Sequence, residues 1–171
     1  MTDNDLQGIP RPSQLWKQLS PERKLQAAEA FWGDKNASME HAEAVVTIAQ
    51  RIKFRPKSVI SLPVEKKAKH LVALGAVSEL VAARLLVTYH LAHQRPMMAA
   101  FLDALGIAHE NGLIQEENVS PATDKIGSAA AEIAGKYPVQ DVSLYLNTLF
   151  CQDPETWAAL ADVPQRLEAG E

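Results

Sequence analysis

A single cysteine, Cys151, stands in the 171 residues, so no internal disulfide can form and the reducing cytoplasm is the compartment this chain fits. Aromatic residues are scarce as well, with three Trp, three Tyr and four Phe. Beside an alanine-rich composition, that scarcity favours helices over sheets. No basic residue precedes Arg11, whereas Asp3 and Asp5 do, which is the wrong sign for a secretory or transit leader. The longest apolar stretch is broken by Ser78–Glu79 and by Arg84, which excludes a membrane span. Catalytic signatures are missing too. There is no phosphate loop, no dinucleotide glycine pattern, no Gly-x-Ser-x-Gly elbow and no His-Glu-x-x-His. These absences predict a soluble, cytoplasmic, all-α protein with no cofactor, no bound metal and no membrane partner, and nothing in them marks an enzyme.

What remains is enough for one domain that buries roughly two thirds of its unfolded surface. Hydrophobic residues make up 47% and charged residues 22%, an ordinary globular balance. The net charge of −4 hides an uneven distribution. Residues 1–70 hold 12 Lys/Arg against 8 Asp/Glu, and residues 71–171 hold 5 against 13. The tightest concentration runs from Arg51 to Lys69, where seven bases (Arg51, Lys53, Arg55, Lys57, Lys66, Lys67 and Lys69) accompany one acid, Glu65.

Between Leu71 and Leu102 the only charged side chains are Glu79, Arg84 and Arg95. The spacing predicts a helix over 79–93, capped by Ser78 and apolar around its whole circumference, which must therefore be enclosed by protein. Before it, Gly8, Pro10 and Pro12 predict an extended arm over 1–12, and Ser13 caps a short turn. Ser20-Pro21-Glu22 starts a helix that Gly33 ends, and Ser38 caps the next. Arg55-Pro56 then predicts an extended connection over Lys57 to Leu62, and Pro63 restarts a helix with Gly75 as its cap. After the apolar helix, Arg95-Pro96 opens another, closed by Gly106 and Ile107 in a Schellman-like ending. Asn111-Gly112 marks a turn. Further helices start at Ser120-Pro121, Pro138 and Asp153-Pro154, and a polar tail covers 164–171. The expected fold is a single compact domain over 13–163, with about eight helices in antiparallel hairpins around the buried helix 79–93.

Two constellations carry candidate chemistry. His90 and His93 share one side of the apolar helix, and with Arg95 and His109 they could line a polar pocket or supply nitrogen ligands to a metal. Against a metal, the intervening helix is ~13 Å long at ~1.5 Å per residue, so His109 is expected at the far end of the hairpin from His93. The bland reading makes these histidines structural. The second constellation is the basic edge, Arg51, Lys53, Arg55, Lys57, Lys66, Lys67 and Lys69. The last three open a helix, where they oppose its dipole, a placement that hints at a use for the charge. Its bland reading is docking on the acidic second half.

The residues thus predict a helical interaction module that uses the 51–69 edge for an anionic partner, such as a protein. The alternative is a small-ligand or metal-binding protein or an enzyme built around His90, His93, Arg95 and His109. Nucleic acid is the less favoured partner, given overall acidity and few aromatics, and a second copy of the chain is a further candidate.

Overall fold

A computed structural model describes residues 8–170. Among these residues the chain forms ten α-helices, one 3₁₀ turn and a hairpin of two-residue strands, an all-α fold. It groups into two compact units. The first, residues 11–92, contains α1 (Pro12–Gln18), α2 (Pro21–Gly33), α3 (Ser38–Ile52), α4 (Pro56–Ile60), α5 (Val64–Ala73) and all but the last residue of α6 (Glu79–His93). The second takes in α7 (Arg95–Ala104), β1 (His109–Glu110), β2 (Leu113–Ile114), α8 (Thr123–Ala134), α9 (Val139–Gln152), the 3₁₀ turn (Ala158–Leu160) and α10 (Val163–Glu168).

Two helix starts follow the capping chemistry read from the sequence. The Ser20 hydroxyl accepts from the Arg23 amide at 3.2 Å, with Pro21 at the first helical position, and Ser78 accepts from Val81 at 3.2 Å. Both satisfy amides that a helix leaves without an internal partner. At α1 the expectation fails in detail. Arg11 takes the cap position and Pro12 opens the helix. The Ser13 amide donates to a Glu79 carboxylate oxygen at 3.2 Å and its hydroxyl donates to the other. Glu79 thus places a negative charge at the positive end of α1. Of the expected arm over 1–12, residues 1–7 lie outside the described residues, and Pro12 belongs to α1.

Helix α6 has the ends and burial expected of it. Val81, Ala82, Leu85, Leu86, Tyr89 and His90 are buried, and Leu80, 45% exposed, is its one large exposed apolar residue. Arg84 rests its charge between Asp34 at 3.8 Å and Glu40 at 3.6 Å. Glu40 is itself buried, so the Arg84 guanidinium offsets part of the cost of taking its carboxylate out of water. In the same unit α5 packs chiefly along α2, and α4 against α3.

In the second unit α9 is the most enclosed element, buried from Asp141 to Leu146 and again from Thr148 to Phe150. Tyr145 packs edge-on against Phe101, ring centres 5.7 Å apart. Burial pushes its phenol well above the ordinary tyrosine value, because the phenolate would lose its water. The end of α7 is a full Schellman motif. Gly106 has φ +69°, its amide donates to Asp103, and the Ile107 amide donates to Leu102. The Asn111-Gly112 turn closes the small hairpin with both residues at positive φ, the form that suits a two-residue loop.

Further expectations are corrected. Ser38 caps nothing, because it is the first residue of α3 with Ala37 at the cap position, and Leu74, not Gly75, is the cap residue that ends α5. Lys57–Leu62 is not an extended link, because Pro56 at a first helical position and the fully buried Val59 make one anchored turn of helix. Ser120 caps nothing, since α8 starts at Thr123 with Ala122 at its cap. Residues 164–171 are not a polar tail. Val163 and Pro164 are buried, α10 packs along α9, and the Ser143 hydroxyl donates to Glu168 at 2.9 Å. Two apolar residues at the start of so short a segment were too few to give a period. No helix among the described residues is long and apolar enough to cross a membrane.

The burial along α6 sets up a contrast within one helix. Leu86→Ala is expected to lower the unfolding free energy by about 2–5 kcal/mol, as for a buried leucine. Leu80→Ala is expected to cost less than about 1 kcal/mol, as for an exposed side chain. Urea unfolding of the two variants checks both, and a near-neutral Leu86→Ala would contradict the enclosure.

Candidate functional site

The basic edge lies wholly in the first unit, and the structure divides its cations into two groups. Three are engaged locally. Arg51, in the last turn of α3, donates from its guanidinium to the carbonyl of Ala73, the final residue of α5. Lys67 sits over the Trp32 ring at 5.0 Å, a cation–π placement. Lys69 pairs with Glu65 at 3.4 Å along α5. The other four, Lys53, Arg55, Lys57 and Lys66, are exposed and make no ion pair or hydrogen bond through their side chains among the described residues.

Local structure explains their positions. Helix α3 ends at Lys53, which adopts a left-handed conformation at φ +60°, ψ +37° and lets the Phe54 amide reach back to Ala49. A side chain bearing a Cβ is strained there, and glycine is the usual solution. Arg55 is the extended cap residue of α4, and Lys57 stands on that helix opposite its buried anchor Val59 at 100° per residue. Lys66 lies in the first turn of α5, across the helix from the buried Ala68. Arg51 reaches the far end of α5, about 10 Å along the axis from Lys66 at ~1.5 Å per residue, so the cations are spread as a strip along residues 51–69 of the chain and not gathered at one point. Interleaved with them, Phe54, Ile60 and Val64 are each 43–60% exposed.

The histidines serve other ends. The buried His90 directs Nδ1 to the Leu86 carbonyl, 2.7 Å away on its own helix. His93 is exposed at the end of α6. Arg95 donates to the Asn111 carbonyl at 2.9 Å and so holds the tip of the small hairpin. His109 accepts the Gly112 amide at Nδ1 (3.0 Å), so its Nε2 carries the proton and donates to Asp103 at 2.7 Å. Both ring nitrogens of His109 are therefore used in holding that hairpin to α7. Among the described residues no three His, Cys, Asp or Glu side chains are grouped to hold a metal ion. A cavity lined by Ala44, Thr47, Leu71, Leu74, Val77, Ser78 and Val81 has a volume of ≈10 Å³, room for about one water.

The sequence reading overlooked one cluster. His41 lies 2.5 Å through Nε2 from the Phe31 carbonyl, with its ring 5.0 Å from Trp32, the ring that Lys67 also covers. Lys67 meets Trp32 because α5 packs on α2, and His41 meets Phe31 and Trp32 from α3; no local spacing announces either pairing. Comparison of the chain with protein-family models, with curated proteins and with solved structures gives no significant match in any of the three.

Lys53 offers a direct check on the strip. If its strained conformation is kept for the sake of its charge, Lys53→Gly is expected to raise stability by up to about 1 kcal/mol in thermal or urea unfolding. A clear loss of stability would mean that the side chain supports the fold.

Proposed function

We propose that this chain is a binding module that takes an anionic protein partner on the strip Lys53, Arg55, Lys57 and Lys66. The observation that supports this reading is that four exposed cations lie along residues 53–66 without side-chain partners among the described residues, one of them on strained backbone. Exposed cations need no partner for stability, so their clustering is not explained by the fold. A strip of one sign attracts an oppositely charged surface and speeds its encounter.

Magnitude bounds what charge can do alone. Four surface ion pairs at up to ~1 kcal/mol each supply about 4 kcal/mol at best, the free energy of a roughly millimolar Kd. Binding through the strip is therefore weak and salt-sensitive unless apolar contact adds to it.

The test is Lys57→Glu combined with Lys66→Glu, two positions with no side-chain partner among the described residues. At low salt the native chain is expected to be retained on immobilised poly-L-glutamate, and the double variant to elute early with an unchanged melting temperature. Equal retention of both proteins would contradict the proposal. A lowered melting temperature with retention unchanged would assign the strip to stability instead.

A further inference from the structure

The second unit carries a surface of the opposite sign. No lysine or arginine lies between Arg95 and Lys125, while Asp103, Glu110, Glu116, Glu117 and Asp124 do. Glu110 stands directly across the small hairpin from Leu113, so the two side chains are neighbours on one face of it. Leu113 is 44% exposed, the one large apolar side chain of its unit so exposed among the described residues. Glu116 and Glu117 follow at once, just past Gln115, whose amide donates to the Ala108 carbonyl at 3.4 Å. Asp103 is engaged by His109. Glu110, Glu116 and Glu117 are exposed and make no ion pair or hydrogen bond through their side chains among the described residues. The hairpin itself is held firmly. Arg95 donates to the Asn111 carbonyl at its tip, and a Cβ added at Gly112 would lie 2.9 Å from that of Met98 on α7.

The basic strip repeats this arrangement with the sign reversed. Lys57 and Ile60 are three residues apart on α4, side by side on the helix surface, and Ile60 is 60% exposed. The exposed Phe54 and Val64 lie on either side of them in the chain, with the uncompensated Lys53, Arg55 and Lys66. Glu65, the one acid of the segment, is taken up by Lys69.

Resting on the binding role proposed above, we infer that the anionic partner is a second copy of this chain, whose hairpin surface docks on the strip. Leu113 of one copy meets Ile60 of the other, and Glu110 meets Lys57 beside it. Glu116 and Glu117 face the remaining cations. Two observations select this occupant. Charge alone binds weakly, so the partner has to bring an apolar side chain next to its carboxylates. The Glu110–Leu113 pair does so on a turn already held in place, which lowers the cost of ordering it. A second copy also accounts for both uncompensated surfaces at once, whereas an unrelated acidic protein accounts for the strip alone. Because the two surfaces differ, the contact is head-to-tail. The net charge of −4 opposes the approach of two copies from afar, so the attraction is local, within the ~8 Å over which exposed charges act at physiological salt.

The experiment is sedimentation equilibrium of the full chain at concentrations up to about 1 mM, where even charge pairing alone becomes visible. The native chain is expected to show an average mass that rises with concentration and falls back when salt is added. Lys57→Glu with Lys66→Glu, and separately Glu110→Lys with Glu116→Lys, are each expected to lower the association constant at least about tenfold with melting temperatures unchanged. An equal mixture of the two variants is expected to recover association to within about threefold of the native constant, because one keeps the native hairpin and the other the native strip. It is also expected to stop at a one-to-one pair, since each member has a single working surface. A native chain that stays monomeric throughout, yet is retained on poly-L-glutamate, would overturn the second copy as partner and leave the anion-binding role standing. A monomer that poly-L-glutamate also fails to retain would overturn both. Association that neither reversal weakens, or that mixing fails to restore, would overturn the pairing of these two surfaces.

Discussion

A helix with no polar face has to be enclosed, and in the first unit that demand on α6 organises its neighbours. Its few polar side chains become tethers instead of a solvated face. Glu79 takes up the start of α1 through Ser13. Arg84 draws Asp34, just after α2, and Glu40, in the first turn of α3, to one guanidinium. Removing that guanidinium would leave the buried Glu40 carboxylate without its cation, so the corner between α2 and α3 is fixed by electrostatic necessity as much as by packing. With its beginning held in this way, α3 turns Ala44, Val45, Ile48 and Ala49 inward and leaves Met39 and Val46 facing out.

Charges in this unit are therefore treated in two opposite ways. Where a charge is buried, at Glu40, it has a partner in Arg84. Where desolvation is small, along Lys53, Arg55, Lys57 and Lys66, the side chains have none among the described residues. The second arrangement contributes little to folding, and at Lys53 the left-handed backbone opposes folding. The strip is better understood through what it could attract than through what it holds in place.

Several features written in contiguous residues were legible in the sequence, although the serines at 13, 38 and 120 do not cap the helices they precede or open. Ser20-Pro21-Glu22, Ser78 before a helix without a polar face, and Gly106-Ile107 each specify their local structure through adjacent side chains and backbone chemistry. Features created by tertiary pairing were not. Arg84 found Asp34 and Glu40, and Lys67 found Trp32, through contacts between helices that no spacing reveals. Short helices were lost for a different reason. Five residues in α4 and six in α10 are too few to display a period, and single anchors such as Val59 hold them. The basic edge was visible by composition, but its division into engaged and uncompensated cations required the packing of α3, α4 and α5. His109 could be named from sequence, yet its use by Asp103 and Gly112 depended on the hairpin closing over α7.

Backbone amide shift mapping separates the proposed surface from the histidine alternative most directly. Titration of the full chain with poly-L-glutamate at low salt is expected to shift amides of Lys53–Ile60 and of the first turn of α5 around Lys66, with the changes reversed by added salt. Shifts centred on His93, Arg95 and His109, or no shifts in residues 53–66, would contradict the assignment of binding to the basic strip.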